Sequence, residues 1–216
     1  NEEAEYSTFN VRIENSAYVF DVQTPTETIT DLKFNLPGKH NLTNALIALA
    51  MANTYGTPTD HIAKALFTFK GVKRRFSYQI KEENLVYIDD YAHHPTEINA
   101  VNQAVRELYP NEKVLAIFQP HLFSRTRDFI DGFAESLSQF DDVILLDIYP
   151  ARELPIEGVN SNWVIEKITN KNKKLVAKDE LISVILNSDA KVVVTIGAGD
   201  IGELVKPIKQ ALNEKV

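Results

Sequence analysis

The sequence contains no cysteine, and this absence excludes several kinds of chemistry at once. A chain without thiols has no disulfide framework, no thiolate metal ligand and no thiolate nucleophile, and it fits a cytoplasmic protein. Methionine is scarce as well. The one methionine is Met51 and the chain begins with Asn1, so we expect the natural translation start to lie outside this sequence.

An excess of positive charge and long apolar segments are also missing. The 23 Lys and Arg residues are outnumbered by 30 Asp and Glu residues, which gives a formal net charge of -7 and a pI near 5.3. This balance argues against a nucleic-acid surface built on bulk positive charge. No apolar run approaches the roughly 20 residues of a membrane span. We therefore expect neither a nucleic acid nor a membrane as partner.

The composition that remains is that of an ordinary globular protein, 44% hydrophobic and 25% charged, and it changes its pattern once along the chain. Residues 1–35 hold short alternating runs typical of an antiparallel meander. Helices are expected at 41–55, opened by Asn41, and at 59–67, capped by Thr59 or Asp60. The segment GVKRRF at 71–76 fits neither pattern, so we divide the chain into domains at 1–73 and 74–216.

The second part alternates solidly apolar strands with amphipathic helices, which is typical of a parallel sheet covered on both faces. Strands are expected at 77–81, 85–89, 114–118, 143–146, 175–176 and 192–196. Helices are expected at 95–109, 126–140, 162–168, 179–186 and from the last strand to about 213. The sequence therefore predicts an α/β protein with a mostly parallel sheet, preceded by a smaller part of antiparallel strands and helices.

The first polar cluster, Asp89-Asp90-Tyr91-Ala92-His93-His94 followed by Pro95, stands between a buried strand and a helix start. Ligands of α/β sheets bind at such places. Carboxylates and imidazoles also suit several divalent metals. Neighbouring residues on a strand point to opposite faces, however, so a metal site is the less favoured interpretation. Adjacent histidines that cap and pack the helix are the plainer alternative.

A second polar cluster, QPHLFSRTR at 119–127, again follows an apolar strand and precedes a helix. Since the carboxyl ends of parallel strands share one edge, His121, Arg125 and Arg127 should approach Asp90 and His93 from a neighbouring strand. Two arginines and a histidine at a helix start suit a carboxylate or a phosphate.

Two further clusters follow the later strands, at 147–153 and at 197–202. Residues 197–202 match G-x-G-x-x-G, but the dinucleotide fingerprint belongs in the first strand-to-helix turn of a sheet, so the match is weak. We expect these glycines to let the backbone approach a ligand or another domain closely. In the first part, Asn41 and Asn44 lie one helical turn apart, either as a helix cap or facing a nucleobase edge.

Taken together and in this order, the motifs resemble those of the Mur ligases. The resemblance rests on PGKHNLTNALIALA (37–50), GVKRRF (71–76), IDDYAHHPTE (88–97), FQPHLFSRTRD (118–128), DIYPARELPIEGV (147–159) and TIGAGDI (195–201). It implies a central ATPase domain that ends in 1–73 and a C-terminal Rossmann-like domain at 74–216. In the branch that the motifs fit best, ATP phosphorylates the carboxylate of UDP-N-acetylmuramate, and L-alanine attacks the acyl phosphate during peptidoglycan biosynthesis. Mg²⁺ is the implied cofactor.

The resemblance also implies which residues face the nucleotide. The adenine would contact the amides of Asn41 and Asn44. The ribose and phosphates would lie along Arg75, Asp90 and His93.

Tyr91, His121 and Arg125 would form the side of the amino acid and the acyl phosphate. The phosphate loop that such a reaction needs, G-x-x-x-x-G-K-[ST], does not occur in the sequence. We therefore expect a fragment that makes no amide by itself and binds ATP weakly at most.

Two other functions remain open at this stage. One is a nucleotide-binding or NAD-binding Rossmann protein, suggested by the glycines at 197–202. The other is a metal-dependent hydrolase that uses the Asp-Asp and His-His pairs of the first cluster.

Overall fold

The structure, a computed structural model, describes residues 4–15 and 17–215. The chain forms two compact units, one ending at Gly71 and the other beginning at Val72. Within the described residues no helix combines the length and the apolar character needed to cross a membrane.

The first unit is a three-stranded antiparallel sheet in the order β1-β2-β3, followed by two helices. Its elements are β1 Ser7–Glu14, β2 Ala17–Gln23, β3 Thr28–Phe34, α1 Lys39–Thr54 and α2 Thr59–Thr68. The predicted meander is confirmed. Its core joins buried residues of β2, such as Phe20, to Leu42 and Leu49 of α1 and Ile62 of α2.

The predicted helix caps of this unit are wrong. Helix α1 begins two residues before Asn41, after Gly38 at φ 94°, and the Asn41 Nδ2 donates instead to the Pro37 carbonyl at 2.7 Å. Helix α2 follows Pro58 without a side-chain cap. The Thr59 hydroxyl is occupied elsewhere, because it donates to Glu27 at 2.9 Å.

The second unit is a six-stranded sheet in the order β4-β5-β9-β6-β7-β8, flanked by helices. The first strand is antiparallel to its neighbour and the other pairs are parallel. Its strands are β4 Ser77–Lys81, β5 Val86–Asp90, β6 Val114–Phe118, β7 Asp142–Leu145, β8 Lys173–Leu175 and β9 Val192–Ile196. Its helices are α3 Pro95–Leu108, α4 Phe123–Asp128, α5 Ile130–Leu137, α6 Ser161–Lys167, α7 Leu181–Leu186 and α8 Ile201–Lys215. The predicted α/β class with a mostly parallel sheet is confirmed.

Both faces of this sheet are covered, as the apolar strands predict. Side chains alternate along β9, so that Val192 and Val194 pack into a cluster with residues of α3, α5 and α6. Val193 joins the opposite cluster, with residues of α7 and α8. A strand buried on two faces reads as a continuous apolar run, which is why these strands were readable from the sequence.

The single helix expected at 126–140 is two helices, α4 and α5, separated at Phe129. The backbone leaves helical geometry there, with φ −119° and ψ 20°, and the Phe129 ring packs edge-on against His94 at 4.5 Å between centroids. After this break α5 runs close to α3. A Cβ on Gly132 would lie 3.0 Å from Pro95, and Ser136 donates to the Pro95 carbonyl at 3.2 Å.

Candidate functional site

The carboxyl ends of four parallel strands bring the polar clusters of the second unit to one edge of its sheet. We call this the carboxyl edge and define it as residues 90–94, 119–125, 147–153 and 197–200, which follow β5, β6, β7 and β9. Ligands of open parallel sheets bind outside this edge.

Four aromatic rings form a row along the carboxyl edge. The ring centroids of Tyr91 and His93 are 5.5 Å apart, those of His93 and His121 are 6.2 Å apart, and those of His121 and Tyr149 are 5.6 Å apart. The predicted approach of His121 to His93 is confirmed. The expectation that they follow neighbouring strands is wrong, because β9 lies between β5 and β6.

His121 and Arg125 form a polar pair inside this row. Arg125 Nη1 lies 3.2 Å from His121 Nδ1. Because a guanidinium only donates, Nδ1 must accept, which assigns the proton of the neutral imidazole to Nε2. Burial lowers the pKa of His121, and the charges of Arg125 and His93 lower it further. His121 is therefore a neutral ring with an N–H to offer, suited to donate to an anion.

The two adjacent histidines have different roles. The His94 ring is the N-cap of α3 and accepts a hydrogen bond from the Thr96 N–H at 3.3 Å. His93 belongs to the ring row, and its backbone N–H donates to Glu97 at 2.8 Å. Pro95 is the first helical residue, as the sequence predicts. Across residues 4–15 and 17–215, no three His, Asp or Glu side chains are grouped closely enough to hold a metal ion.

Asp90 turns its carboxylate toward the backbone of its own unit. Its Oδ2 accepts from the Phe76 N–H at 2.6 Å and its Oδ1 from the Ala92 N–H at 2.7 Å. Burial raises the pKa of Asp90 above its ordinary value of 3.8. Both oxygens thus fix the strand end and the segment at 72–76.

Arg75 projects from that segment with about half of its side chain exposed, 52%. Its Cζ lies 5.7 Å from the centroid of the Tyr91 ring, within the range of a cation–π contact. Its Nη1 is 4.0 Å from Glu97. A cation held beside an exposed ring is available to a ligand phosphate.

The remaining predicted residues lie elsewhere. Asn41 and Asn44 are in the first unit, on the opening turns of α1, and Asn44 is exposed. Arg127 is exposed on α4, outside the ring row, and its guanidinium forms an ion pair with Asp128 at 2.8 Å.

Sequence reasoning missed several residues that shape the carboxyl edge, among them Tyr149 and Glu153. The Tyr149 N–H donates to the Pro120 carbonyl at 2.8 Å, and its own carbonyl accepts from Leu122 at 2.9 Å. The Glu153 carboxylate accepts from the Ser124 N–H at 2.9 Å and from the Ser124 hydroxyl, bonds that lower its pKa. Both residues stand in the motif at 147–159, which was the signal that could have singled them out.

The glycines of the G-x-G-x-x-G match allow close packing within their own unit. A Cβ on Gly197, at φ 148°, would lie 2.8 Å from the Gln119 carbonyl, and one on Gly199 would lie 2.7 Å from Tyr149 Cβ. The expectation that these glycines approach a ligand or another domain stays a prediction, and the packing within the unit is a separate reason for glycine at 197 and 199. The Gln119 side chain fixes this contact, because it accepts from Ile201 N at 2.9 Å and donates to Asp200 at 2.7 Å.

Comparison with known proteins gives one consistent result. A family model described as "Mur ligase, glutamate ligase domain" matches residues 74–199. A protein of Flavobacterium psychrophilum named UDP-N-acetylmuramate–L-alanine ligase is 72% identical over 215 residues, which cover 100% of this chain and 48% of that protein. One of the same name from Christiangramia forsetii is 64% identical over 98% of this chain and 47% of its own length.

A solved structure agrees with these relatives. The crystal structure of the UDP-N-acetylmuramate-alanine ligase of Thermotoga maritima superposes with a TM-score of 0.83 at 27% identity, over 100% of this chain and 47% of that one. The chain thus spans about half the length of the curated relatives that it matches.

Proposed function

This chain belongs to the Mur ligase family, and on that basis we propose that it contributes one side of the active site of an ATP-dependent ligase. The full-length protein would join L-alanine to the carboxylate of UDP-N-acetylmuramate in peptidoglycan biosynthesis, a cytoplasmic reaction. The observation that carries the proposal is the pairing of Arg125 with a neutral His121 at the carboxyl edge, because this pair offers adjacent N–H donors of the kind that bind a carboxylate or an acyl phosphate.

The proposed chemistry has two steps. A carboxylate oxygen of UDP-N-acetylmuramate attacks the γ-phosphorus of ATP, and the bond to the ADP oxygen breaks. The amine of L-alanine then attacks the carbonyl carbon of the acyl phosphate, loses a proton and expels phosphate. In the first step negative charge passes from the carboxylate to the departing ADP oxygen, and in the second step it develops on the acyl oxygen as the amine adds. Arg125 and the Nε2–H of His121 would stabilise that charge from fixed positions.

Tyr91 would line the same side, and His93, the next ring of the row, would face the ribose and phosphates. Tyr91 is 36% exposed and stands at the end of the ring row, where it can contact the incoming amino acid. Because the Nδ1 of His121 already accepts a hydrogen bond from Arg125, we do not assign His121 as the base that takes a proton from the amine.

On the nucleotide side we propose Arg75 for the phosphates, and Asn41 and Asn44 for the adenine. Asp90 acts indirectly in this proposal. Its carboxylate holds the Phe76 and Ala92 N–H groups, so it positions Arg75 rather than reaching the ribose.

The described residues do not fit a magnesium site. Asp90 gives both oxygens to backbone N–H groups, and Asp89 is paired with Arg74 at 3.0 Å and with Thr195 at 2.9 Å. Mg²⁺ prefers several free oxygen ligands in octahedral geometry. We assign no step to Mg²⁺ within this chain.

A turnover assay tests the proposal on the full-length protein and on residues 1–216 alone, with ATP, UDP-N-acetylmuramate and L-alanine. We expect amide and ADP in equal amounts from the full-length protein and neither from the chain alone. A full-length protein that releases no amide would refute the function. ADP release by residues 1–216 above background would refute the expectation that the fragment is inactive.

The same preparations separate the two alternatives. Calorimetry with NAD should detect no binding, whereas a nicotinamide-binding protein would bind it. Elemental analysis should find no stoichiometric transition metal, which a metal-dependent hydrolase would retain.

A further inference from the structure

Arg74 stands next to the predicted site residue Arg75, yet its side chain points into the unit and not toward solvent. Its Nε donates to Asp89 Oδ2 at 3.0 Å, and its Nη2 donates to the Gly197 carbonyl at 2.7 Å. The side chain of Arg74 is 17% exposed and that of Asp89 is 1% exposed. A carboxylate buried to this degree requires a charged partner, and within the described residues Arg74 is the cation paired with it.

Asp89 is itself fixed by a hydrogen bond from a side chain of the neighbouring strand β9. The Thr195 hydroxyl on β9 donates to Asp89 Oδ1 at 2.9 Å, and the Tyr87 hydroxyl lies 3.2 Å from that of Thr195. All three side chains are buried. The Arg74 guanidinium is therefore anchored to two adjacent strands, β5 and β9, through a polar group that cannot move without disturbing the core.

The backbone of Arg74 is bound to the carboxyl edge as well. Its carbonyl accepts from the Tyr91 N–H at 2.7 Å, and its Cζ lies 5.2 Å from the centroid of the Tyr91 ring. Arg74 has φ 61° and Phe76 has φ 45°, left-handed conformations that non-glycine residues adopt at an energetic cost. Surrounding contacts must hold a backbone in such a state, and it is often found at functional sites.

Gly202 makes room for this arrangement. A Cβ at Gly202 would lie 2.7 Å from Arg74 Nη1 and 2.8 Å from its Cζ. The third glycine of the G-x-G-x-x-G match thus leaves room for the Arg74 guanidinium.

We propose that Arg74 is a positioning residue, which fixes the strained segment 74–76 on the sheet and thereby sets the direction of Arg75 and the place of Tyr91. Its guanidinium links Asp89 and Gly197, the ends of two strands, while its backbone carries Arg75 outward. The expected effect of Arg74 on the KM for ATP rests on the proposed function, because Arg75 is assigned there to the nucleotide phosphates. The expected ordering of residues 74–76 by Arg74 does not depend on that function.

The first test is hydrogen–deuterium exchange on residues 1–216. In Arg74→Gln we expect amides at 74–78 and 89–93 to exchange at least tenfold faster, because the bond from Tyr91 N–H to the Arg74 carbonyl is released. The matched control is Arg106→Gln, which removes an arginine paired with Asp141 at 2.8 Å on the last turn of α3. It should leave those amides unchanged. Equal exchange at 74–78 and 89–93 in wild type and Arg74→Gln would overturn the proposal.

The second test measures the KM for ATP in the full-length protein. Arg74→Gln and Gly202→Ala should each raise it about tenfold, the scale expected when a binding group is misplaced. Arg74→Lys keeps the charge that Asp89 needs but loses the planar guanidinium. Its thermal stability should therefore match that of wild type, while its KM for ATP should stay as high as that of Arg74→Gln. If Arg74 had a purely structural role, Arg74→Lys would instead return the KM for ATP to the wild-type value.

A double-mutant cycle completes the test. If Arg74 acts through Arg75, then Arg74→Gln should change the KM for ATP little in an Arg75→Gln background. Full additivity would refute the positioning role. If wild-type full-length protein makes no amide while exchange at 74–78 still accelerates in Arg74→Gln, the proposed function fails and the ordering role of Arg74 stands.

Discussion

The imidazole rings of His93 and His121 lie 6.2 Å apart although β9 separates the strands that they follow. Both residues lie in the segments that follow the strand ends, outside the sheet itself. Residues that follow non-adjacent strands thus meet beyond the edge of the sheet.

Burial and, after it, the charge of Arg125 lower the pKa of His121. We expect its imidazole to titrate below 6.5 in NMR spectra of residues 1–216, because burial and the neighbouring charges disfavour the imidazolium. Arg125→Gln should raise that pKa toward the ordinary value. The matched control Arg127→Gln removes an exposed arginine from the same helix and should leave the pKa of His121 unchanged. A titration that is insensitive to Arg125 would contradict the pairing.

The same shift fixes the sign of a pH effect on stability. Since the folded pKa of His121 is lowered, its contribution to the free energy of unfolding is complete above pH 6.5 and is lost as the pH falls through the folded value. Urea unfolding of wild type and His121→Gln, followed by the fluorescence of Trp163 in α6, measures this difference. The stability of wild type relative to the variant should decline below pH 6.5, and a rise there would contradict the assignment.

Asp90→Asn should destabilise the second unit by about 1–3 kcal/mol, because one amide N–H would then face the backbone N–H of Phe76 or Ala92. Asp131→Asn is the matched control, since its ion pair with Lys167 is exposed and should contribute little. Urea unfolding followed by tryptophan fluorescence compares the two variants. Equal midpoints would show that the Asp90 contacts do not stabilise the fold.

The burial of Asp90 should also make the free energy of unfolding depend on pH. Its folded pKa is raised above 3.8, so the free energy of unfolding of wild type should fall, relative to Asp90→Asn, as the pH rises from 3.8 through the folded value. The same unfolding series at several pH values measures this slope, and a slope of opposite sign would contradict it.

Gly199→Ala should disturb the carboxyl edge locally and cost about 1–3 kcal/mol, because the new Cβ would overlap Tyr149 and the Gln119 side chain. The His121 ring, which stacks on Tyr149, should change its NMR resonance. Gly158→Ala is the comparison, since a Cβ there meets nothing within 4 Å and only its backbone at φ 78° is strained. An unchanged His121 resonance in Gly199→Ala would be evidence against the packing role.

The two sides of the proposed site should separate in steady-state kinetics of the full-length protein. Arg125→Gln should raise the KM for L-alanine or UDP-N-acetylmuramate by roughly 10- to 100-fold, the size of one charge-assisted hydrogen bond, with a smaller effect on ATP. Arg75→Gln should show the reverse order. Arg127→Gln should match wild type. Equal effects of Arg75 and Arg125 on all three substrates would refute the division.

Local sequence determined the order and type of the elements. Strands β6 and β9 begin and end where the apolar runs predict, because a strand buried on two faces must be apolar throughout. The break at Phe129 was not predicted, because Ile130, Phe133 and Leu137 keep helical spacing and give no sign of it, whereas the contact of the Phe129 ring with His94 joins distant segments. The clusters after the strands were recognisable for the same reason as the strands, since polar residues there interrupt an apolar pattern.

Only the tertiary structure decided what each of these polar residues contacts. The sequence placed Asp90 and Arg75 together at the candidate site and passed over Arg74. In the structure the Asp90 carboxylate binds backbone N–H groups, and Arg74 joins Asp89 to Gly197 across more than 100 positions of sequence. Periodicity is a property of neighbouring residues, so the sequence alone determined the two-part organisation and the α/β class. Strand order and hydrogen-bond partners depend on pairings between distant segments, which no local pattern encodes, and these decided the site.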